Sequence, residues 1–330
     1  MSLLSTYDAL LLDLDGTVWE GGRAIDGAVE AINSATDAGI RGIYVTNNAM
    51  RGPEVVAEKL RGIGLTATED DVVTSAQAAI DMAAEMLEPG DRVYVVGTDS
   101  FKELASRAGY TVVDSADDEP KAVLHGMNPN AGWRELSEAA LAIRAGARYF
   151  VSNLDTTLPT ERGLMVGNGS MVAAVISATG ARPYSAGKPG PAMFHSAATR
   201  INASTPLAVG DRLDTDIEGG NAAGMDTFQV LTGVSGQLAL LEARKEQRPT
   251  YIAESLTDLT KSRDELRPGA QGGFTARIDG DDILLERGTA ESTSIQALRT
   301  VLQVAWAQSK EPNLIRPMSE HAERAVSGWW

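Results

Sequence analysis

Asp13 and Asp15 stand two positions apart in Asp13-Leu14-Asp15-Gly16-Thr17, at the end of an apolar run of strand length, Tyr7–Leu14. Two carboxylates at one strand end repel each other unless a cation lies between them. Mg²⁺ suits such a pair, being a hard ion that takes oxygen ligands and keeps waters. If the strand continued, the two side chains would share a face. Gly16 permits a sharp turn and a close backbone approach. The same residues also fit an Asx-type turn that ends a strand and binds nothing.

Three further groups fall at expected strand ends. Thr46-Asn47-Asn48 follows the run Arg41–Thr46. Its hydroxyl and amides suit a phosphoryl oxygen, and equally a helix cap. Lys188, in Gly187-Lys188-Pro189-Gly190-Pro191, precedes a helical pattern. It can neutralise a phosphoryl group or stand as a solvated loop charge, and the spacing is not that of a P-loop. Gly210-Asp211-Arg212-Leu213-Asp214-Thr215-Asp216 follows the run Pro206–Val209. Here Asp211 is placed to ligate a metal and Asp216 to support it; the alternative is a carboxylate-rich helix start. His125, His195 and His321 are scattered without ligand spacing, and cysteine is absent. Thiol nucleophiles, disulfides and Cys-based metal sites are thereby excluded.

The elements that must carry these groups alternate between strand and helix. Strands are expected at Tyr7–Leu14, Arg41–Thr46 and Val72–Thr74, with helices at Asp26–Ala38, Pro53–Ile63 and Ala76–Met86. Short apolar runs followed by helices imply a parallel sheet covered on both faces, with ligands outside the carboxyl ends of its strands. After a break at Pro89-Gly90, a second series follows: strands at Arg92–Val96, Thr111–Val113, Ala122–His125 and Tyr149–Ser152, helices at Phe101–Ala108, Trp133–Ala145 and Gly169–Thr179. The helix Ala192–Ile201 and the strands Pro206–Val209 and Thr227–Val230 close it. From about Leu256 the pattern changes: a hairpin around Asp279-Gly280-Asp281 and a helix over Ser294–Gln308 make a small α+β appendage.

Composition narrows the function classes. The 330 residues, 43% apolar and 22% charged, suffice for about two domains. A formal charge of −16 repels phosphate backbones, so nucleic acid and anionic membrane surfaces are not expected partners. No apolar run reaches the roughly 18–20 residues of a membrane helix, and Met1–Tyr7 has no basic stretch before an apolar core. A cytoplasmic location without membrane insertion is the expectation.

Taken in order, DLDGT, the Thr of VTNN, the Lys of GKPGP and GDRLDTD resemble the haloacid dehalogenase (HAD) superfamily of phosphotransferases, over roughly residues 7–250. Asp13 and Thr46 are 33 positions apart, too few for a cap domain, whereas Asn48 and Lys188 are 140 apart. That spacing, with Asp15-Gly16-Thr17-Val18-Trp19, VTNNAMR and GDRLDTDI, is similar to subclass IIA, the nitrophenylphosphatase-like (NagD-like) group. Ser152-Asn153-Leu154-Asp155, with Pro159-Thr160 beyond it, matches as well. The resemblance implies an α/β fold: a Rossmann-like parallel-sheet core over 1–85 and 185–255, and a large α/β cap over 86–184 between the second and third motifs. A small α+β extension over 256–330 completes it.

It also implies a mechanism. Asp13 attacks phosphorus and becomes an aspartyl-phosphate. Asp15 protonates the leaving alkoxide and later deprotonates water. Mg²⁺ lies on Asp13, Asp211 and Asp15, the last through its backbone carbonyl, with Asp216 behind. Thr46 and Lys188 bind phosphoryl oxygens, with Asn47 and Asn48 beside them. Asn153 and Asp155 structure the cap–core mouth, or simply form a turn. A second Asp favours phosphate esters over dehalogenation, and the usual mutase cap would fall between Asp13 and Thr46. The substrate is a small phosphate ester: glycerol 3-phosphate, phosphoglycolate, pyridoxal phosphate or a nucleoside monophosphate. Aromatic residues are 5% of the chain, so no clamp for a flat ring is evident. The chain is also similar to actinobacterial members of the subclass in which a reduced acetyltransferase-like segment follows the phosphatase, a group associated with glycerol 3-phosphate hydrolysis in glycerophospholipid recycling. Arg287-Gly288-Thr289-Ala290 lacks the pyrophosphate-cradling loop of an active acetyltransferase. The extension is therefore expected to be non-catalytic, packing on the core or mediating a homo-oligomer, with Trp329-Trp330 docked or exposed. A binding or regulatory protein with an inactive pocket is the alternative of another class; Asp13, Asp15 and Lys188 are all retained, against it.

Overall fold

The apolar runs of the sequence are buried parallel strands. Ala9–Leu12 has all four residues buried and pairs with Pro206–Gly210, which pairs with Asp226–Val230. The computed structural model describes residues 2–160, 162–308 and 311–329, in two units: Met1–Gly42 with Asn202–Trp330, and Ile43–Ile201.

In the first unit the sheet continues past its expected end. A fourth parallel strand, Tyr251–Ala253, adds to Asp226–Val230, although the series reads as closing at Thr227–Val230. Its three residues are all buried, and their ladder with Phe228–Val230 makes them a strand. The first strand stops at Leu12, not Leu14, because Asp13 makes the last ladder bond, donating its N–H to Val209 O at 2.9 Å. The helix Ala28–Asp37 buries Ala28, Ile32 and Ala35, the face expected from spacing.

The extension is the expected hairpin plus helix. Phe274–Asp279 and Asp282–Arg287 pair antiparallel, and Gly280 at φ 62° supplies the tight turn. The sequence reading omitted Ile315–Pro317, a parallel third strand, and the helix Glu320–Val326. The helix Ser294–Ala305 starts on a capping box of Thr293 and Gln296. Its Ile295, Leu298, Val301 and Leu302 share one core with Leu213, Ile217, Leu240 and Ile252. Trp329 joins that core and donates its indole N–H to Ser294 Oγ at 2.8 Å; Trp330 lies outside the described residues.

Arg299 pins this packing. It is 2% exposed, and its Nε donates to Ile252 O at 2.9 Å, on the last strand of the sheet. Its Nη1 donates to Gln271 Oε1 at 3.3 Å, and Asp258 lies 3.9 Å from Nη2. Arg299→Met leaves a buried carbonyl without its donor and is expected to cost about 3 kcal/mol. Urea denaturation checks this; an unchanged midpoint and slope would contradict it.

The second unit carries a five-stranded, wholly parallel sheet in the order Tyr184–Ser185, Arg148–Val151, Ala122–His125, Arg92–Val96, Thr111–Val113. An antiparallel pair, Thr157–Thr160 with Gly163–Val166, was not expected from sequence. Tyr44–Thr46 pairs parallel with Val72–Thr74, and the helix Ser75–Ala84 begins on a Thr74/Gln77 capping box.

His125 is fully buried, with Nδ1 2.8 Å from Tyr149 Oη and, among the described residues, no hydrogen-bond partner on Nε2. Burial pushes its pKa down to about 4. The unfolded chain, near 6.5, therefore binds a proton that the folded chain refuses. Stability is full above pH 6.5 and falls as pH drops from there towards 4, by about 3 kcal/mol. The measurement is urea unfolding at pH 7 and pH 5 for wild type and His125→Gln. The drop should be smaller in the variant; equal drops would contradict it.

Among the described residues, no helix is long and apolar enough to cross a membrane.

Candidate active site

In the first unit, three carboxylates meet at the carboxyl ends of two paired parallel strands. Asp13 follows Ala9–Leu12, while Asp211 and Asp216 follow Pro206–Gly210. One ligand oxygen from each lies within 4.8 Å of the others. Asp211 is 0% and Asp216 2% exposed. Like charges so close and so dry oppose one another unless a cation joins them. The donors are all carboxylate oxygens, so the chemistry fits a hard divalent ion such as Mg²⁺.

Close backbone approach builds the Asp211 position. A Cβ on Gly16 would lie 2.6 Å from Asp211 Oδ2, and one on Gly233 would lie 2.0 Å from it. Gly16 also holds φ at +87°, which L side chains rarely adopt. Val234 N donates to Asp211 Oδ2 at 2.7 Å, and the buried Thr17 Oγ1 donates to Oδ1 at 3.5 Å. A Cβ on Gly210 would strike Asp216, whose Oδ2 accepts from Arg212 N at 3.1 Å. Leu213–Ile217 forms a π-helical turn, so the helix-start reading of this motif and the ligand reading describe the same residues. Arg212 turns its guanidinium to Asp214, at 3.0 and 2.7 Å, and holds that carboxyl below the usual range. It braces the loop.

Asp15 stands outside the carboxylate cluster. It is exposed, and its Oδ1 accepts from the indole N–H of Trp19 at 2.9 Å. Because the strand has ended, Asp13 and Asp15 are not strand neighbours on one face. The turn closes through backbone bonds instead: Val18 N and Trp19 N both donate to Leu14 O, at 2.8 and 3.0 Å. Asp15 thus presents an exposed carboxylate that accepts from Trp19, apt for moving a proton.

The second unit gathers the remaining expected residues. Lys188 is 4% exposed, and its Nζ donates to Val45 O at 3.2 Å. It is not a solvated loop charge. Asn47 surrounds it: Lys188 N donates to Asn47 Oδ1 at 2.9 Å, and Asn47 Nδ2 donates to Lys188 O and to Asp155 Oδ2, both at 3.2 Å. Asn153 Nδ2 donates to Asn47 O at 2.8 Å, while Asn153 Oδ1 accepts from Asp155 N at 3.2 Å. Asn168 Nδ2 in turn donates to Asn153 O at 2.8 Å. Thr46 is buried, and its Oγ1 accepts from Asn48 N at 3.2 Å; Asn48 Oδ1 accepts from Met50 N at 2.9 Å. Asn47, Asn153, Asp155 and Lys188 are therefore one hydrogen-bonded cluster, and Thr46 precedes Asn47 in the chain. The amide of Asn47 is engaged at both ends inside the protein and clamps Lys188. His195 is exposed on the helix Ala192–Arg200 and takes no part.

Sequence reasoning missed Thr17, Gln229, Thr232 and Ser235. Gln229 and Ser235 are buried polar residues, and they contact Asp211 through its backbone. Their signal was a Thr-Gly-Val-Ser-Gly stretch directly after an expected strand, where loops meet ligands.

A family model described as haloacid dehalogenase-like hydrolase matches residues 10–111, and a second, HAD-hydrolase-like, matches 185–259. The chain is 41% identical to the D-glycerol 3-phosphate phosphatase of Mycobacterium tuberculosis, covering 99% of this chain and 95% of that protein. It is 36% identical to the acid sugar phosphatase of Staphylococcus saprophyticus, covering 78% of this chain and 98% of that one. The crystal structure of glycerol phosphate phosphatase from Mycobacterium tuberculosis in complex with magnesium superposes with a TM-score of 0.94 at 42% identity, over 100% of this chain and 98% of that chain.

Proposed function

The chain belongs to the haloacid dehalogenase-like hydrolases, and from that membership we propose that it is a Mg²⁺-dependent phosphomonoester hydrolase whose substrate is glycerol 3-phosphate. The observation that carries the reading is the convergence of Asp13, Asp211 and Asp216 within 4.8 Å at adjacent strand ends. Asp13 and Asp211 would hold Mg²⁺ directly, with the Asp15 backbone carbonyl, and Asp216 would support them. When bound, the ion withdraws charge from a phosphoryl oxygen and lessens the repulsion between an anionic nucleophile and an anionic ester.

The chain's own residues do the rest. The Asp13 carboxylate attacks phosphorus as the ester bond breaks, and Asp15 delivers its proton to the departing alkoxide. Asp15 then takes a proton from water, which attacks the phosphorus of the aspartyl-phosphate and returns Asp13 and phosphate. Trp19 keeps the Asp15 carboxylate in one orientation through both transfers. Thr46 and Lys188 would bind phosphoryl oxygens, with Lys188 fixed by Asn47 and, through it, by Asn153 and Asp155.

Glycerol 3-phosphate is favoured by the likeness to the mycobacterial phosphatase, which runs across 99% of the chain and so includes the extension. The scarcity of aromatic residues agrees with a small polyol leaving group. We further propose a catalytic core over 1–85 and 185–255, a cap over 86–184, and a non-catalytic, reduced acetyltransferase-like extension over 256–330. The extension's core, continuous with Leu213 and Ile217, supports a packing role. The charge of −16 supports the absence of nucleic-acid partners, and the lack of cysteine agrees with a cytoplasmic location. Self-association is tested by light scattering of the full chain.

The test is phosphate release from glycerol 3-phosphate, phosphoglycolate, pyridoxal phosphate, nucleoside monophosphates and sugar phosphates with Mg²⁺. A kcat/KM for glycerol 3-phosphate at least tenfold above the others is the expected result. A preference for another ester overturns the substrate and leaves the chemistry. No release from any ester overturns both.

A further inference from the structure

We infer that the segment Gln229–Ser235, which contains none of the residues assigned above to metal or phosphate, is a strap that positions both metal-binding loops at once. This rests on the proposed reading of the carboxylate cluster as a Mg²⁺ site.

The strap touches the Asp13–Thr17 loop at one point and the Asp211 loop at several. Thr232 Oγ1 donates to Gly16 O at 2.6 Å. Val234 N donates to the Asp211 carboxylate at 2.7 Å, and Ser235 N donates to Asp211 O at 3.2 Å. Ser235 Oγ accepts from Leu213 N at 3.1 Å, inside the π-helical turn that carries Asp216. Gln229 closes the strap on itself: its Nε2 donates to Asp211 O at 2.6 Å, to Val230 O at 2.9 Å and to Ser235 O at 3.2 Å. Gln229 is 0% exposed, so these bonds are made out of reach of water. At Gly233 the backbone lies against Asp211 so closely that a side chain would displace the carboxylate.

The consequence is mechanical. Asp13 and Asp211 come from strands paired side by side; the ladder ends at Asp13, and beyond it a bond of 3.5 Å from Thr17 to Asp211 joins the two loops beside the strap. A cation shared between the two loops needs their separation held within a few tenths of an ångström, and outer partners of metal ligands commonly carry a tenfold to hundredfold effect on affinity. Thr232, Val234 and Ser235 supply that constraint from a third strand's loop. Thr232 and Ser235 are positioning residues: they act through Gly16, Asp211 and Leu213.

Thr232→Val is near-isosteric and removes only the hydroxyl, and Thr232→Ser restores it. The full chain is stripped with EDTA, and Mg²⁺ alone is titrated by calorimetry. Thr232→Val is expected to bind Mg²⁺ about tenfold more weakly, with its metal-free melting temperature unchanged and Thr232→Ser near wild type. Ser235→Ala should weaken binding in the same direction. Its kcat at saturating Mg²⁺ should recover more than its activity at limiting Mg²⁺. Wild-type Mg²⁺ affinity in both Thr232→Val and Ser235→Ala overturns the strap. Equal weakening in Thr232→Val and Thr232→Ser also overturns it, since losing the hydroxyl and losing the methyl would then count alike and the bond to Gly16 O would explain neither. If the wild-type chain itself binds no Mg²⁺, the reading of the carboxylate cluster fails, and the strap with it.

Discussion

Asp13→Asn should abolish Mg²⁺-dependent phosphate release, lowering kcat by at least about 10⁴-fold while leaving the fold intact. Asn has the shape of Asp but neither the charge nor the nucleophilic lone pairs of a carboxylate. The residue stands at the last ladder position of its strand, where the backbone bond to Val209 O is independent of the side chain. Circular dichroism and melting temperature should therefore match wild type while turnover vanishes. Residual Mg²⁺-dependent release within tenfold of wild type would mean that another group attacks phosphorus.

The second large effect is expected at Asp211. Asp211→Asn keeps an oxygen to accept from Val234 N, and Asn fits between Gly16 and Gly233 as Asp does. What it removes is one of three negative charges confined within 4.8 Å. Without metal, relief of that repulsion should hold or raise the melting temperature. With metal, the variant should lose the Mg²⁺-induced rise that wild type gains by binding to the folded state. Loss of charge at a metal ligand should also cut kcat/KM by about 100-fold or more. Differential scanning fluorimetry with and without 10-fold steps of Mg²⁺ reads both signs. A variant that melts lower without metal and still gains stability from Mg²⁺ would show that Asp211 is a structural acid, not a ligand.

Much of this site was legible in the sequence, for a physical reason. Carboxylates at strand ends are costly, so DLDGT and GDRLDTD mark themselves by residue type alone. Their order also located the strands that bring Asp13 and Asp211 side by side. What stayed hidden depends on partners far away in the chain. Nothing in the sequence marks Lys188, 141 positions on, as the residue whose backbone bonds both ends of the Asn47 amide. Trp19 is buried, yet its indole N–H donates to the exposed carboxylate of Asp15, a link that residue type does not announce. The strap escaped notice because half its work is done by backbone N–H groups of Val234 and Ser235, which every non-proline residue possesses. Tyr251–Ala253 becomes a strand through its ladder with Phe228–Val230, and Arg299 of the extension fastens to it at Ile252.

During turnover Asp13 becomes covalently phosphorylated. The direct measurement is to mix the protein with glycerol 3-phosphate and Mg²⁺, quench within a turnover, and reduce with borohydride. Reduction converts an acyl phosphate on aspartate to homoserine, which peptide mass spectrometry locates. The expected result is homoserine at position 13, absent from Asp15 and absent when substrate is omitted. Turnover without any reducible aspartyl-phosphate, or with the modification on another carboxylate, would contradict it.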